Sequence, residues 1–265
     1  MDPESDDVVD ADHGGASGDS AARRGFDFLW DAHAPANRGP KPGLTLEQIG
    51  RAGMAIADEQ GLDAVSMRAI AERLGFTTMS LYRYVPSKTD LLAVILELAI
   101  GDALPGVKAS EGIWSERLAN WARESLMLFR RHPWLQQVAV PSSLLGPMRI
   151  AWIEAGLDTI TNLDLPLPDK MEAVLAVYAY VYGVGRLNQE WRDDPDQGWN
   201  TDSPLMQRIS HDARFPHMAA LVQSGFMDEP TATAADTPYA DTDFEFGLQC
   251  LLDGIASRAG VSRFP

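Results

Sequence analysis

The sequence predicts an all-α protein, and three observations carry that prediction. Apolar residues recur at helical spacing through most of the chain after residue 44, helix start and stop signals punctuate that pattern, and no convincing run alternates apolar with polar residues as a half-buried strand would. The chain has 265 residues, of which 45% are hydrophobic, enough to bury one large or two modest cores. Internal repeats are absent.

Residues 1–43 are rich in Gly, Ala, Asp, Ser and Pro, with one apolar patch, GFDFLW, and are expected to form a disordered acidic tail and basic arm. At Thr45 the pattern changes. T-L-E-Q is a capping box, in which the Thr hydroxyl takes a free amide and Gln48 reaches back. Leu46, Ile49, Met54, Ile56 and Ala57 follow at mostly helical spacing, and Gly61 is expected to supply a left-handed stop. A second helix starts at Ser66, places Met67, Ile70, Ala71 and Leu74 on one face and ends at Gly75. Phe76, Leu81 and Val85 are expected to form the inner face of a third, whose other sides carry Thr77, Thr78, Ser80, Tyr82 and Tyr84. Two helices joined by a tight Gly turn make a helix-turn-helix.

Ser87, with Asp90 three residues on, starts a fourth helix expected to close at Pro105 and Gly106. Further helices are expected near 112–131, 133–139, 146–161, 168–193, 203–222 and 241–259, joined by turn-rich clusters such as DLPLPD and RDDPDQG. The domain division that follows is a tail at 1–43, a helix-turn-helix domain at 44–90 and a helical regulatory and dimerisation domain at 91–265.

The longest apolar runs, LLAVILELAI and AVLAVYAYVYGVG, fall short of the ~18–20 residues that a membrane span needs. The N-terminus is acidic where a signal peptide is basic and then apolar, and the single cysteine, Cys250, forbids an intrachain disulfide. Both observations suit a reducing cytoplasm, with no membrane partner. Net charge is -16, but it is unevenly spread. Residues 1–20 carry seven acids and no base, residues 21–95 carry nine Lys/Arg against eight Asp/Glu, and residues 96–265 carry thirteen against twenty-three. The helix-turn-helix lies in the one segment that is not negative, so charge permits nucleic-acid binding there.

The stretch GLDAVSMRAIAERLGFTTMSLYRYVPSKTDLL resembles the DNA-binding domain of the TetR family of transcriptional repressors. The features that carry the resemblance are G-L-D-A, the Ser66 cap, the A-x-x-L-G turn at Ala71–Gly75 and S-L-Y-R-Y-V-x-x-K-x-x-L from Ser80. The later W-x-x-R-L, R-R-H-P-W-L and G-P-M-R segments resemble the tetracycline-repressor-like regulatory domain more loosely. The resemblance implies a second domain that binds a small ligand and forms the dimer.

A major groove ~12 Å wide admits one α-helix, whose first turns bring short side chains to base edges. Thr78 and Met79 are expected there: Thr78 can bond a base edge, and Met79, which stands where the tetracycline repressor has a Pro, can make only apolar contact. Arg68 matches a base-reading Arg of that relative, unless Asp63 or Glu72 simply pairs with it. Thr77, Ser80, Tyr82, Tyr84 and Lys88 suit phosphate or groove-wall contacts, and Arg38 and Lys41 suit a backbone-tracking arm. Lys88 and Tyr82 have a solvated surface as their ordinary alternative, and Tyr84 a half-buried seat against the fourth helix.

Among the aromatics of the second region, Trp114, Trp121, Trp152, Tyr178 and Tyr182 are the candidates for lining a ligand pocket, with Phe129, Trp134 and Trp191 also available; core packing is the ordinary role of most of them. His132, His211 and His217 lack metal-ligand spacing, so no metal or other cofactor is expected. No catalytic constellation is present, and GVG at 183–185 follows no strand, so the chain does not read as an enzyme. Cys250, on an apolar helix, is expected to be a packed thiol.

MEAVLAVYAYVYGVGRL is apolar almost all round, and such a helix must be covered on every side. With FEFGLQCLLDGIA it suits a four-helix interface between two protomers. The resulting expectation is a homodimeric, ligand-responsive transcriptional regulator, read as a repressor, that binds a palindromic double-stranded operator and is released by a small-molecule effector. The alternatives are a helical ligand carrier or enzyme that has lost DNA binding, and an acidic protein-interaction module.

Overall fold

Thr45 opens the first helix as its sequence dictates. Its Oγ1 accepts the Gln48 amide at 3.1 Å, and Gln48 Oε1 accepts the Thr45 amide at 2.9 Å, so two otherwise orphaned donors are satisfied. This computed structural model describes residues 29–30, 43–138, 145–193, 203–225 and 241–262. Among them are ten α-helices and no strand. We number the helices α1 (Leu46–Gln60), α2 (Met67–Leu74), α3 (Thr78–Tyr82), α4 (Lys88–Lys108), α5 (Trp114–Arg131), α6 (Pro147–Thr159), α7 (Leu167–Asp193), α8 (Pro204–Ile209), α9 (Pro216–Gln223) and α10 (Asp241–Ala259).

The chain divides into two compact units, one holding residues up to Leu104 together with Gln137–Trp152, the other Pro105–Gln136 together with Ile153 onward. In the first, Ile49 and Ile56 of α1, Ile70 of α2, Leu81 of α3, Val85, and Leu91 and Ile95 of α4 are all buried. Burial of each such side chain stabilises by roughly 1.5–3 kcal/mol relative to exposure. Arg73 of α2 forks onto Glu59 of α1 at 2.8 and 2.6 Å, and Arg51 of α1 pairs with Asp102 of α4. The buried Glu97 carboxylate accepts the Met148 and Arg149 amides at 2.7 and 3.2 Å, which places a negative charge on the first turn of α6, where the helix dipole favours it.

In the second unit, α5 presents Leu118, Trp121, Ala122 and Leu126 to α7, which buries Val174, Val177 and Val181. Helix α10 adds Phe244, Leu248 and Leu252. Tyr180 stacks on Phe244 with centroids 5.6 Å apart and donates its hydroxyl to the Phe244 carbonyl at 2.9 Å. Arg123 of α5 holds Glu245 of α10 through two hydrogen bonds of 2.6 and 2.7 Å.

Several elements differ from the sequence expectation. Helix α3 is shorter than expected, because Thr77 serves as its N-cap and accepts the Ser80 amide at 3.3 Å. Phe76 therefore precedes the helix and is 40% exposed, while Val85 is buried beyond its end. Helix α4 runs through Pro105 to Lys108: one missing amide leaves the remaining ladder intact, and Ala103, Leu104 and Val107 are buried along it. The single helix expected over 203–222 is two, since Pro216 biases Phe215 away from the α region, where it sits at φ -124 and ψ 59. Cys250 is exposed: on α10 the buried residues Phe244, Leu248, Leu252 and Ile255 follow a three-to-four spacing, which puts position 250 on the other side.

The expected disordered tail is also revised at one place. Leu29 and Trp30 are helical, Leu29 is buried against Ala93 and Val94 of α4, and Trp30 Nε1 donates to the Leu145 carbonyl at 3.2 Å. Leu29 thus contributes core. Arg38, Lys41, the acidic residues 1–20 and the RDDPDQG turn after residue 193 lie outside the described residues.

Candidate nucleic-acid interface

Helix α2 ends where only glycine fits easily. Gly75 adopts φ 72 and ψ 28, the left-handed region, and the Phe76 amide reaches back to the Ala71 carbonyl at 2.9 Å, closing the helix and reversing the chain. Two residues later Thr77 opens α3, so the turn between the two helices is held at both ends by backbone amides. Leu81 is the buried residue of α3, which anchors the helix by one side and leaves the rest outward.

The predicted residues fall on that outward side. Met79 is 74% exposed, so it is not core. Thr77 is exposed, Thr78 and Ser80 are half-buried, and Thr77 Oγ1 and Ser80 Oγ lie 2.9 Å apart in a hydrogen bond. Tyr82 is exposed and Tyr84 half-buried. Lys88 is exposed in the first turn of α4, whose N-terminus is capped by Ser87: the hydroxyl accepts the Asp90 amide at 3.1 Å and donates to its carboxylate at 2.6 Å. Arg68 projects from α2 with its guanidinium bonded to Glu72 at 2.8 Å, and that hydrogen bond raises the Arg68 pKa above its ordinary value. The pair is largely solvent-exposed, so its intrinsic strength is small and a better partner can displace Glu72. Sequence reasoning passed over Arg83, the exposed C-cap of α3; its signal is the L-Y-R-Y run that sets a cation between two tyrosines.

The five aromatic candidates separate. Trp152 belongs to the first unit and is buried; Trp114, Trp121, Tyr178 and Tyr182 belong to the second. Trp121 is 1% exposed and packs on Tyr178 at 6.3 Å between centroids. Tyr178, Phe129 and Tyr182 continue this ladder at 6.3 and 5.8 Å. Beyond Phe129 a cavity of about 190 Å³ opens between α5, the 3₁₀ turn Pro133–Gln137 and the end of α7, lined among others by Arg130, Gln136, Gly185 and Asn188. None of the five predicted aromatics lines it. The polar residues that do, Gln136 and Asn188, carried no periodic or motif signal in the sequence.

This architecture is matched by known proteins. Residues 49–95 match the family described as bacterial regulatory proteins, tetR family, and residues 105–259 match the tetracyclin repressor-like C-terminal domain. The chain belongs to the TetR family. Its TetR-family relatives include the HTH-type transcriptional repressor DrrR1 of Streptomyces coeruleorubidus, 36% identical over 259 residues that cover 93% of this chain and 91% of that one. Class A tetracycline repressor from transposon 1721 in Escherichia coli is 24% identical, over 80% of this chain and 91% of its own. Among solved TetR structures, ActR of Streptomyces coelicolor in complex with actinorhodin superposes with a TM-score of 0.64 at 25% identity, covering 83% of this chain and all of that one (100%). As a TetR member the protein is a ligand-responsive transcriptional regulator with an N-terminal helix-turn-helix and a helical C-terminal domain.

Proposed function

We propose that this protein is a cytoplasmic homodimeric repressor that places α3 in the major groove of a palindromic operator and leaves it when a small molecule binds the second unit. The observation that carries the DNA-binding face is the position of Lys88. Lys88 is exposed in the first turn of α4, just beyond α3 in the chain, and the Asp90 carboxylate of the same turn is held by the Ser87 hydroxyl, which leaves the Lys88 ammonium as the charge displayed there. A backbone phosphate is the anion that such a cation meets on DNA. Tyr82, Tyr84, Thr77 and Ser80 supply hydroxyls beside it, suited to positioning, while Thr78 and Met79 on the first turn of α3 meet base edges and Arg68 exchanges Glu72 for a base.

The dimer rests on apolar surface that one chain leaves uncovered. Leu175, Tyr178, Tyr182 and Leu187 on α7 and Phe246 on α10 are all exposed. A second copy supplies the cover, and two-fold symmetry sets two α3 helices into successive grooves. The linkage runs along α4, an unbroken helix that carries residues of both compact units. An effector acts only through different affinities for the DNA-bound and free conformations. Names of relatives favour repression, and the ActR complex with actinorhodin favours a small-molecule effector, held here by the second unit.

A mobility-shift assay against DNA flanking the protein's own coding sequence tests the reading. Sequence-specific, salt-sensitive binding by a species of twice the 29.0 kDa chain mass is the expected result. A monomer that binds all DNA alike overturns it.

A further inference from the structure

Asn188 presents a polar group with nothing to bind. It is 5% exposed, near the end of α7, and neither its Nδ2 nor its Oδ1 has a hydrogen-bond partner. Buried amides are ordinarily satisfied, and an unsatisfied one destabilises the fold that holds it. Asn188 also lines the cavity beside Phe129 and Gln136. The Gln136 side of the wall is fixed: Gln136 Nε2 donates to the Tyr182 carbonyl at 3.0 Å, and the Tyr182 hydroxyl donates to the Gln136 carbonyl at 3.1 Å. Gly185 lets α7 approach the Gln136 and Phe129 side chains closely, because a Cβ there would stand 2.5 Å from Gln136 Nε2 and 3.3 Å from the Phe129 ring.

From this juxtaposition we infer that Asn188 is the polar anchor of the effector site, and that it takes a flat aromatic molecule whose edge carries a hydrogen-bond donor beside an acceptor. An amide side chain offers one of each in a single plane, so its complement is a carboxamide, a protonated carboxyl or an adjacent hydroxyl and carbonyl. The size fits: a cavity of ~150 Å³ admits a benzene-sized molecule, and this one, at about 190 Å³, takes a substituted ring or a small fused pair. The Phe129 face supplies the stacking surface, continuous through Tyr182 and Tyr178 with the aromatic ladder. This rests on the reading of the second unit as effector-binding and names the chemistry within it.

The test titrates 2-naphthamide, 2-acetonaphthone and 2-methylnaphthalene, which carry donor and acceptor, acceptor alone, and neither, into the full chain by calorimetry. Wild type binds the amide at least tenfold tighter than the ketone, and the ketone tighter than the hydrocarbon. Asn188→Leu, which keeps the size, abolishes the amide's advantage and raises the melting temperature of the unliganded protein, as loss of an unsatisfied amide requires. Asn188→Asp, which keeps the shape and the acceptor and removes the donor, weakens the ketone most, leaves the amide ahead of it through the amide NH2, and brings no gain in stability. Equal affinity for the three probes in wild type, an amide preference that survives Asn188→Leu, or an amide preference lost in Asn188→Asp overturns the inference. Operator binding without any probe is measured alongside: if wild type fails there, the regulator reading falls, whereas intact operator binding with no amide preference removes the Asn188 assignment alone.

Discussion

The two units use buried and exposed positions in opposite ways. In the helix-turn-helix the unusual side chains are outside: Met79 is 74% exposed on a helix of five residues whose interior position, Leu81, is fully buried. In the second unit the unusual side chain is inside, since Asn188 is a buried, unsatisfied amide beside a cavity. A surface that meets a nucleic acid must display its chemistry on a rigid support, while a cavity that meets a small molecule must withhold its chemistry from water. Support and display are separable by substitution in the first unit.

The largest effect is expected at the support. Leu81→Ala should cost ~2–5 kcal/mol of stability by leaving a cavity under α3, whereas Met79→Ala, two residues away and exposed, should stay within ~0.5 kcal/mol of wild type in urea melts. Equal losses at both positions would mean that α3 is not anchored by Leu81. Next comes display. Thr78→Ala should weaken the preferred operator by ~1–3 kcal/mol and relax the base preference at one position of each half-site. If it instead weakens specific and random DNA alike in a binding titration, the assignment of α3 to the groove fails.

A smaller effect, distinguished by its salt signature, is expected at Lys88. Lys88→Ala should weaken every sequence equally and reduce the slope of log affinity against log salt by about 0.9, the mark of one lost phosphate contact. Smallest is the Arg73–Glu59 fork between α2 and α1. Its hydrogen bonds to Arg73 hold the Glu59 carboxyl below the ordinary carboxylate range. A folded pKa below the unfolded one gives stability that is present at neutral pH and lost as pH falls through the carboxylate range. Glu59→Gln should therefore differ slightly from wild type in thermal melts at pH 7 and coincide with it in strong acid; because the pair is exposed, the difference is small and salt-sensitive.

Much of this molecule is local physics written along the chain. The capping box at Thr45, the Ser66 and Ser87 caps and the helix end at Gly75 are each decided by a few neighbouring residues, and all are found as read, whereas Gly61, expected as a left-handed stop, takes φ 84 with an extended ψ of 167. The bounds expected for α10, 241–259, are those observed, and the bounds expected for α7 fall within a residue of those observed, because both segments keep helical pattern until a turn signal. The all-α class, the helix-turn-helix and the family resemblance follow from such local signals. Where sequence reasoning erred, a distant partner or a local backbone conflict decided the outcome. Leu29 became core because α4 offers Ala93 and Val94, which no pattern around residue 29 reveals. Phe76 was lost from the inner face once Thr77 took the cap, and Cys250 was turned outward by the phase of α10 against its neighbours. Asn188 is the extreme case: in the run GRLNQE it is one polar residue among several, and only the packing of α5, the Pro133–Gln137 turn and α7 makes it a buried amide facing a space. Caps and turns are set by interactions within a few residues, so sequence determines them; a cavity is the volume left over when separate helices meet, and its lining exists only after tertiary structure has formed.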